Sequence, residues 1–200
     1  MDLGVLVVFE MNIVNNNTQI NFRAKFKNPV QILTKDALGS YKPQVASFVE
    51  IENTNKNDIK ALKNVCHYWG ENDQYACNIY TTALERYYNP DWYDSFKIFA
   101  ITKQKDKFEK LNDEHILGLT EVTEKKPRDF YISYIQVDPR NVYSITPEFK
   151  RVGTRILDSI KSMADRIVLS PNSRNTAKFY EGNGFKPCQD RNGFWEWIRK

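Results

Sequence analysis

A basic segment that runs into an amphipathic helix, residues 148–157, constrains the fold more than any other part of the chain. Apolar residues recur at helical spacing from there on, which predicts one buried helix face, formed by Ile156, Leu157, Ile160, Met163 and Ala164. Residues 129–137, ahead of the segment, are predicted to form a strand. A strand, a tight loop and a helix N-terminus bring free backbone N–H groups to one place, which predicts an anion site. Gly153 would allow close backbone approach, and countercharge would come from Lys150, Arg151 and Arg155.

A second element follows that segment in the chain. Residues 166–169 predict a short strand, and residues 173–185 predict a short helix that ends at a glycine. Together, the two elements resemble the GCN5-related N-acetyltransferase (GNAT) superfamily. In that family an Arg/Gln-x-x-Gly-x-Gly/Ala loop holds the acetyl-CoA pyrophosphate, and a later Tyr-x-x-x-Gly-Phe element carries the general acid. Gly153 matches the last glycine of the loop, and the run from Tyr180 to Phe185 matches the second element at the family spacing.

The resemblance extends from about His115 to Phe185, and more faintly back to Ala46. It implies an acetyl-CoA-dependent N-acetyltransferase, in which a primary amine attacks the thioester directly. By resemblance, Tyr180 protonates the departing thiolate, and Ser173 stands where relatives often carry a CoA-contacting Asn. The cofactor-binding residues that the resemblance implies are Ile135, Val137, Lys150, Arg151, Val152, Gly153, Thr154, Arg155, Ser173 and Asn175.

The chain departs from the family pattern within the loop. Glu148 stands where the family has Arg or Gln, and Arg151 stands where it has the first Gly. Arg151 cannot take glycine-only backbone angles cheaply. The link formed by residues 139–147 is also longer than usual. These departures leave a second interpretation open, in which the chain is a weak or inactive GNAT-fold binding or regulatory module that acts through its N-terminal part.

The resemblance leaves the general base to be found. Some relatives carry a Glu on the fourth core strand, where this chain has Tyr131. Glu121 on the neighbouring strand is the predicted substitute, acting directly or through water, and the alternative is that Glu121 is a solvent-facing strand residue. His67 and His115 are predicted to be structural.

The overall fold class follows from the order of predicted elements. We expect an α+β fold, similar to an α/β sandwich, with a GNAT-type mixed, mostly antiparallel sheet flanked by helices. We expect a strand-containing N-terminal extension at residues 1–45 and a GNAT-like domain at residues 46–200. The predicted elements of that domain are strands at residues 46–51, 96–102, 115–122, 129–137 and 193–198, and helices that begin at about residues 58 and 74.

Composition narrows the remaining choices. A chain of 200 residues, 41% of them hydrophobic, can form one domain with a proper core. The net charge of +4 is compatible with an anionic cofactor or with nucleic acid. The apolar residues 3–9 are too short to span a membrane and lack the features of a signal peptide. We therefore expect a cytoplasmic protein. Its three cysteines, Cys66, Cys77 and Cys188, are expected to be reduced thiols that bind no metal.

The acceptor is the least constrained part of this prediction. A small amine, a peptide and an aminoacyl-tRNA all stay open, as does a homodimer. Several aromatic residues crowd the second helix and the loop after it, and they predict either ordinary packing or an aromatic wall for the acceptor. They are Tyr75, Tyr80, Tyr87, Tyr88, Trp92 and Tyr93.

Overall fold

The computed structural model describes residues 23–70, 75–89, 96–105, 108 and 110–200. The apolar segment at residues 3–9 lies outside these residues, as do Trp92 and Tyr93. Within the described residues the chain forms one nine-stranded sheet with the strand order β6-β1-β2-β3-β4-β5-β7-β9-β8. The α+β class and the mixed, mostly antiparallel sheet flanked by helices are therefore confirmed, in the element order that the resemblance to the GNAT superfamily implied.

The strands and helices have the following bounds. The strands are β1 (Lys25–Lys35), β2 (Tyr41–Ile51), β3 (Phe96–Thr102), β4 (Ile116–Lys126), β5 (Asp129–Val137), β6 (Phe149–Lys150), β7 (Arg166–Leu169), β8 (Lys186–Pro187) and β9 (Trp195–Ile198). The helices are α1 (Lys56–Trp69), α2 (Tyr75–Tyr88), α3 (Pro139–Val142), α4 (Val152–Met163) and α5 (Arg174–Gly182).

Two apolar cores cover the two faces of the sheet. One packs α1 and α2 against the central strands and includes Leu62, Trp69 and Ile79. The other packs α4 against the opposite face and includes Ile156 and Leu157, as the predicted helix face requires. Gly118 on β4 permits this contact, because a Cβ atom there would lie 2.8 Å from Ile156 Cδ1.

The sheet divides between β5 and β7, which is its one parallel pair in the described part of the chain. The pairing covers only Asp129–Tyr131 of β5 and Arg166–Val168 of β7. On its other edge, β5 has a bulge, since Val122 pairs with Ile132 and Glu121 pairs with Tyr134. Ser133 is therefore the extra residue of the bulge. Bulges bend a strand locally, and past this bulge β5 and β7 no longer pair.

The N-terminal part of the described chain belongs to the same sheet. β1 pairs antiparallel with β2 along its length and with β6 at Leu33 and Thr34. β2 begins at Tyr41, earlier than the predicted start at Ala46. The proposed division of the chain at residue 45 therefore falls inside β2, and the two-part organisation stays a prediction.

The helix starts and the cysteines bring two corrections. The cap of α1 is Asn55, whose side chain accepts from the backbone N–H groups of Asn57 and Asp58, so the helix begins before the predicted residue 58. Cys66 and Cys77 form a disulfide, so the expectation of reduced thiols is wrong for this pair. The end of α1 packs on the first turn of α2 and brings the two Cα atoms to 4.5 Å. No helix among the described residues is both long and apolar enough to cross a bilayer.

Candidate active site

A cavity of about 630 Å³ lies where β5 and β7 diverge. This volume is in the range of small-molecule sites. The first turn of α4 and the inner side of α5 close it on the flanks. Two ends of this cavity differ in chemistry: the loop end is formed by residues 151–154, and the α2 end by Tyr75, Ser133, Tyr134, Gln136 and Asn172.

The loop end is built from the first residues of α4. Arg151 is the N-cap and adopts the left-handed conformation, with φ 70° and ψ 8°. The conformation of a glycine is thus taken by an arginine, at a strain on the order of 1 kcal/mol. The N–H groups of Val152, Gly153 and Thr154 have no acceptor within their own helix, because they belong to its first turn. They lie at the cavity, at the positive end of the helix dipole, and the anion site stays a prediction for this place.

Gly153 also allows two helices to approach. A Cβ atom at this position would lie 3.1 Å from Phe179 Cζ and 3.5 Å from Val137 Cγ2. Glycine therefore lets α4 and α5 meet over β5 while its N–H group stays exposed to the cavity.

Three of the predicted cofactor-binding residues do not line the cavity. Lys150 places its Nζ atom 3.8 Å from the centroid of the Tyr41 ring. Arg155 donates to the backbone oxygen of Gln31 and to Asp158. Asn175 is exposed on α5. Among the described residues that line the cavity, Arg151 is the one with a charged side chain.

The remaining predicted cofactor residues come together at the cavity. They are Ile135, Val137, Arg151, Val152, Gly153, Thr154 and Ser173. Ser173 is the N-cap of α5 and forms a capping box with Thr176. Asn172, next to it, donates a hydrogen bond of 2.5 Å to the hydroxyl of Tyr75 and so connects the β7–α5 link to the start of α2.

Tyr180 lies on α5 in the wall of the cavity and is only 6% exposed. Its ring packs against Phe179 and Phe185, with centroids 5.3 and 5.7 Å away. Burial raises the pKa of the Tyr180 hydroxyl above its ordinary value, and the nearby Tyr75 adds to the effect. The hydroxyl is therefore protonated at neutral pH and can donate a hydrogen bond or a proton.

Glu121 lies one layer behind the cavity wall. It is 5% exposed, so the alternative that it faces solvent is wrong. Burial raises the pKa of Glu121 to about 7, although hydrogen bonds with the side chains of Ser133 and Thr82 act to lower it. Its Oε2 atom has no hydrogen-bond partner among the described residues. Because Ser133 lines the cavity, a hydroxyl separates the carboxyl group from the space that a ligand would occupy.

Sequence reasoning missed the residues that the bulge and α2 bring to the cavity. Ser133, Gln136 and Asn172 were not predicted as site residues, whereas Tyr75 was named only as one of the aromatic residues that line either the core or the acceptor site. No local pattern marks a bulge at Ser133. Tyr131, the residue at the position of the family glutamate, packs near Phe194, with ring centroids 6.3 Å apart, and is outside the cavity lining.

Known proteins were compared with the chain in sequence and in structure. No family model matches it. Protein argonaute 1C of Oryza sativa subsp. japonica is 28% identical over 133 residues, which are 64% of this chain and 13% of that protein. The chain therefore spans far less than two thirds of that relative's length.

Three solved structures are similar to this chain at low sequence identity. An acetyltransferase from Streptococcus agalactiae is 14% identical, with a TM-score of 0.48, and covers 77% of this chain and 98% of its own. The Campylobacter jejuni N-acetyltransferase PseH, in complex with acetyl coenzyme A, is 13% identical, with a TM-score of 0.48. The match covers 76% of this chain and 99% of PseH. The PaiA N-acetyltransferase from Thermoplasma acidophilum, in complex with coenzyme A, is 13% identical, with a TM-score of 0.49. The match covers 77% of this chain and 99% of that protein. None of these likenesses by itself assigns an activity to this chain.

Proposed function

We propose that this chain is a GNAT-superfamily acetyltransferase, which transfers the acetyl group of acetyl-CoA to a primary amine by direct attack on the thioester. One observation carries the proposal: a single cavity is lined both by the first turn of α4, with its free N–H groups, and by the buried Tyr180 on α5. A pyrophosphate and a departing thiolate need these two groups at opposite ends of one extended cofactor.

Acetyl-CoA would enter between the diverging strands. Its pyrophosphate would accept hydrogen bonds from the first turn of α4, and the left-handed Arg151 turns the chain into that helix. The pantetheine arm would lie along β5, whose backbone past Ser133 is not paired with β7. Backbone N–H groups of this stretch, around Ile135 to Val137, would polarise the thioester carbonyl.

The acceptor amine would approach from the α2 end. A nitrogen–carbon bond forms to the thioester carbon, and the carbon–sulfur bond then breaks. The amine gives up a proton, which Glu121 would accept through the Ser133 hydroxyl. Tyr180 would donate a hydrogen bond or its proton to the departing thiolate. Positioning the amine against the thioester supplies a further large part of the rate, since no covalent enzyme intermediate is needed.

The second candidate is a GNAT-fold module without activity. Its support in the sequence was the altered loop. In the structure Glu148 is 64% exposed at its side chain and pairs with Lys103 at 3.6 Å, and it is absent from the cavity lining. A carboxylate outside the cavity does not oppose a bound pyrophosphate, so only the arginine at position 151 still favours this alternative.

Calorimetry and thermal unfolding with acetyl-CoA test the proposal. Binding should raise the Tm, because a ligand stabilises the state that it binds. Thr154→Glu should lower the affinity at least about tenfold, or roughly 1.4 kcal/mol, by placing a negative charge in the anion site. The variant should stay folded, since an acidic residue in the first turn suits the helix dipole. Gly153 is a poorer target, because any side chain there meets Phe179.

Thr154→Gln is the control, since it has nearly the size of glutamate without the charge, and its affinity should stay within a few-fold of wild type. No heat of binding and no thermal shift at millimolar acetyl-CoA would remove the enzyme proposal. Arg151→Gly addresses the second candidate. It should leave affinity unchanged or raise it by relieving the left-handed strain, and a tenfold fall would instead make Arg151 a phosphate ligand.

A further inference from the structure

The Cys66–Cys77 disulfide lies beside the α2 end of the cavity. Cys77 directly follows Tyr75 and Ala76 in the first turn of α2. Tyr75 lines the cavity, and the backbone N–H of Ala76 donates a hydrogen bond of 2.6 Å to Oε1 of Gln136, which lines it too. The disulfide therefore ties to α1 the turn of α2 that forms one end of the cavity.

The helix at the other end of this bond is fixed in the core. Cys66 is in the last turn of α1, between Val65 and Trp69, whose side chains are 0% and 1% exposed. The start of the same helix is capped by Asn55. A covalent bond to a helix that is held in this way limits how far the first turn of α2 can move.

Gly70 provides the space for the disulfide. It is the C-cap of α1 and has φ −71°, a backbone conformation open to any residue. A Cβ atom at this position would lie 2.8 Å from the Sγ atom of Cys77, which is too close for two packed atoms. A free thiol could rotate away from such a Cβ atom, but a bonded sulfur could not. The glycine therefore favours the bonded form of the pair.

Both cysteines of the pair are partly exposed. Thiol–disulfide exchange requires that a thiolate reach one of the two sulfur atoms, and exposed disulfides are more often labile or regulatory than buried ones. The exposure of Cys66 and Cys77 therefore favours a bond that a reductant can open in the folded protein.

We propose that Cys66 and Cys77 form a thiol–disulfide exchange site that controls the order of the α2 end of the cavity, with Gly70 making room for the bond. Resting on the proposed function, this is the end at which the acceptor amine binds. A dithiol reductant cleaves the sulfur–sulfur bond: it supplies two electrons and two protons, becomes a cyclic disulfide and leaves two cysteine thiols.

Reduction acts on one end of the cavity. Without the bond, the first turn of α2 keeps only its noncovalent contacts, such as those of Ala76 with Gln136 and of Tyr75 with Asn172, and it opens more often. At the loop end, Gly153 faces side chains of α5 and β5, so that end keeps its order. The reduced protein should therefore bind acetyl-CoA as the oxidised protein does.

Amide hydrogen exchange tests this directly, because it measures local opening. Cys188→Ser is the background, so that the pair holds all the thiols that reduction can release. Reduction with dithiothreitol should accelerate exchange at Ala76 at least about tenfold more than at Ile160 in α4, which reports on the rest of the fold. Replacing both Cys66 and Cys77 with serine should reproduce the reduced state without a reductant.

The equilibrium between the two redox states tests the role of Gly70. In dithiothreitol redox buffers, Gly70→Ala should shift the equilibrium constant at least about tenfold towards the reduced form. Gly182→Ala is the matched control, because that glycine also ends a helix and a Cβ atom there would meet nothing within 4 Å. Equal shifts in the two variants, or no shift in either, would contradict the role of Gly70.

Three results would overturn the exchange site itself. If millimolar dithiothreitol released no thiols until denaturant was added, the bond would be purely structural. Equal acceleration at Ala76 and Ile160 would mean that the bond stabilises the whole fold. A fall in acetyl-CoA affinity of more than about twofold on reduction would mean that the effect reaches the loop end.

Calorimetry separates this inference from the proposed function. Absence of acetyl-CoA binding in both redox states would reject the proposed function. The exchange measurement would still decide whether the pair controls the first turn of α2, because it needs no substrate.

Discussion

Two buried carboxyl groups lie on the face of the sheet that carries α1 and α2, and burial raises the pKa of each to about 7. Asp58 is in the first turn of α1, and its Oδ2 atom accepts a hydrogen bond of 3.1 Å from the backbone N–H of Glu52. It therefore ties the end of β2 to the helix that follows. Glu121 is on β4, with the hydroxyls of Ser133 and Thr82 as its neighbours.

The comparison shows that a raised pKa does not by itself identify a general base. Desolvation is the largest cause of the raised pKa in both groups. Each carboxyl group also has one oxygen without a hydrogen-bond partner among the described residues. The difference is in what separates each carboxyl from the cavity. Glu121 is one hydroxyl away from it, through Ser133, whereas the partners of Asp58 are backbone N–H groups of residues that do not line the cavity. Perturbed groups indicate function only when a substrate can reach them.

The largest expected effect is on Glu121→Gln. Removing this proposed base should lower kcat/KM by about 10³-fold and abolish the rise of activity through about pH 7, where the folded-state carboxyl ionises. Asp58→Asn should leave activity within about twofold, because its group has no path to the acceptor. Both are measured by thiol release over pH 5.5 to 9. Equal losses in the two variants would show that burial, and not access, made Glu121 important.

Tyr180→Phe extends the comparison to the proposed general acid. The substitution removes one hydroxyl from a buried ring, so unfolding and acetyl-CoA affinity should hardly change, while kcat should fall about 10²-fold. The matched control is Tyr131→Phe, whose ring lies near Phe194 outside the cavity lining. An unchanged kcat for Tyr180→Phe would assign the proton to water or to another side chain.

The sequence predicted the loop end of the cavity better than the α2 end. The run from Arg151 to Thr154 and the run that begins at Tyr180 are each contiguous in the sequence. Each short stretch of chain therefore holds both a motif and the local geometry that the motif specifies. Lys150 and Arg155 are in that stretch too, but strand and helix geometry turns them away: Lys150 pairs through β6 with Leu33, and Arg155 reaches the backbone of β1. Basic composition alone did not indicate these directions.

The α2 end depends on contacts between distant parts of the chain. Gln136 meets Ala76 across a separation of 60 residues, and Asn172 meets Tyr75 across 97. The bulge at Ser133 decides which β5 side chains face α2, and one extra residue in a strand exchanges the two faces. No periodicity in residues 129–137 signals that shift, so Ser133 and Gln136 could not be assigned from sequence.

A smaller effect is expected for the hydroxyl groups on either side of Glu121. If Ser133 carries the proton, Ser133→Ala should lower kcat/KM about tenfold, and Ser133→Thr should restore most of it, since general acid–base transfer needs a positioned hydroxyl. Thr82 contacts the same carboxyl but does not line the cavity. Thr82→Val should therefore raise the pKa of Glu121 and move the pH profile of activity to higher pH, without lowering the activity at its plateau. Equal plateau losses in Ser133→Ala and Thr82→Val would mean that both hydroxyls only support the carboxyl.

The smallest effect is one that the two carboxyls share. For an acid whose folded-state pKa is raised, the folded protein binds protons more tightly than the unfolded chain, so stability falls as pH rises from the unfolded value near 4 to about 7. Asp58→Asn keeps an oxygen for the N–H of Glu52 and removes the titration. The loss of unfolding free energy between pH 5 and pH 8 should then shrink by on the order of 1 kcal/mol.

Urea unfolding at the two pH values measures this change through the midpoint at constant slope. Glu121→Gln should reduce the same loss of stability, although it differs from Asp58→Asn in activity by orders of magnitude. The two carboxyl groups would thus both reduce the stability of the fold as pH rises, whereas only Glu121 would contribute to activity. If Asp58→Asn kept the full pH dependence of wild type, Asp58 would not be a buried acid with a raised pKa, and the similarity between the two groups would be lost.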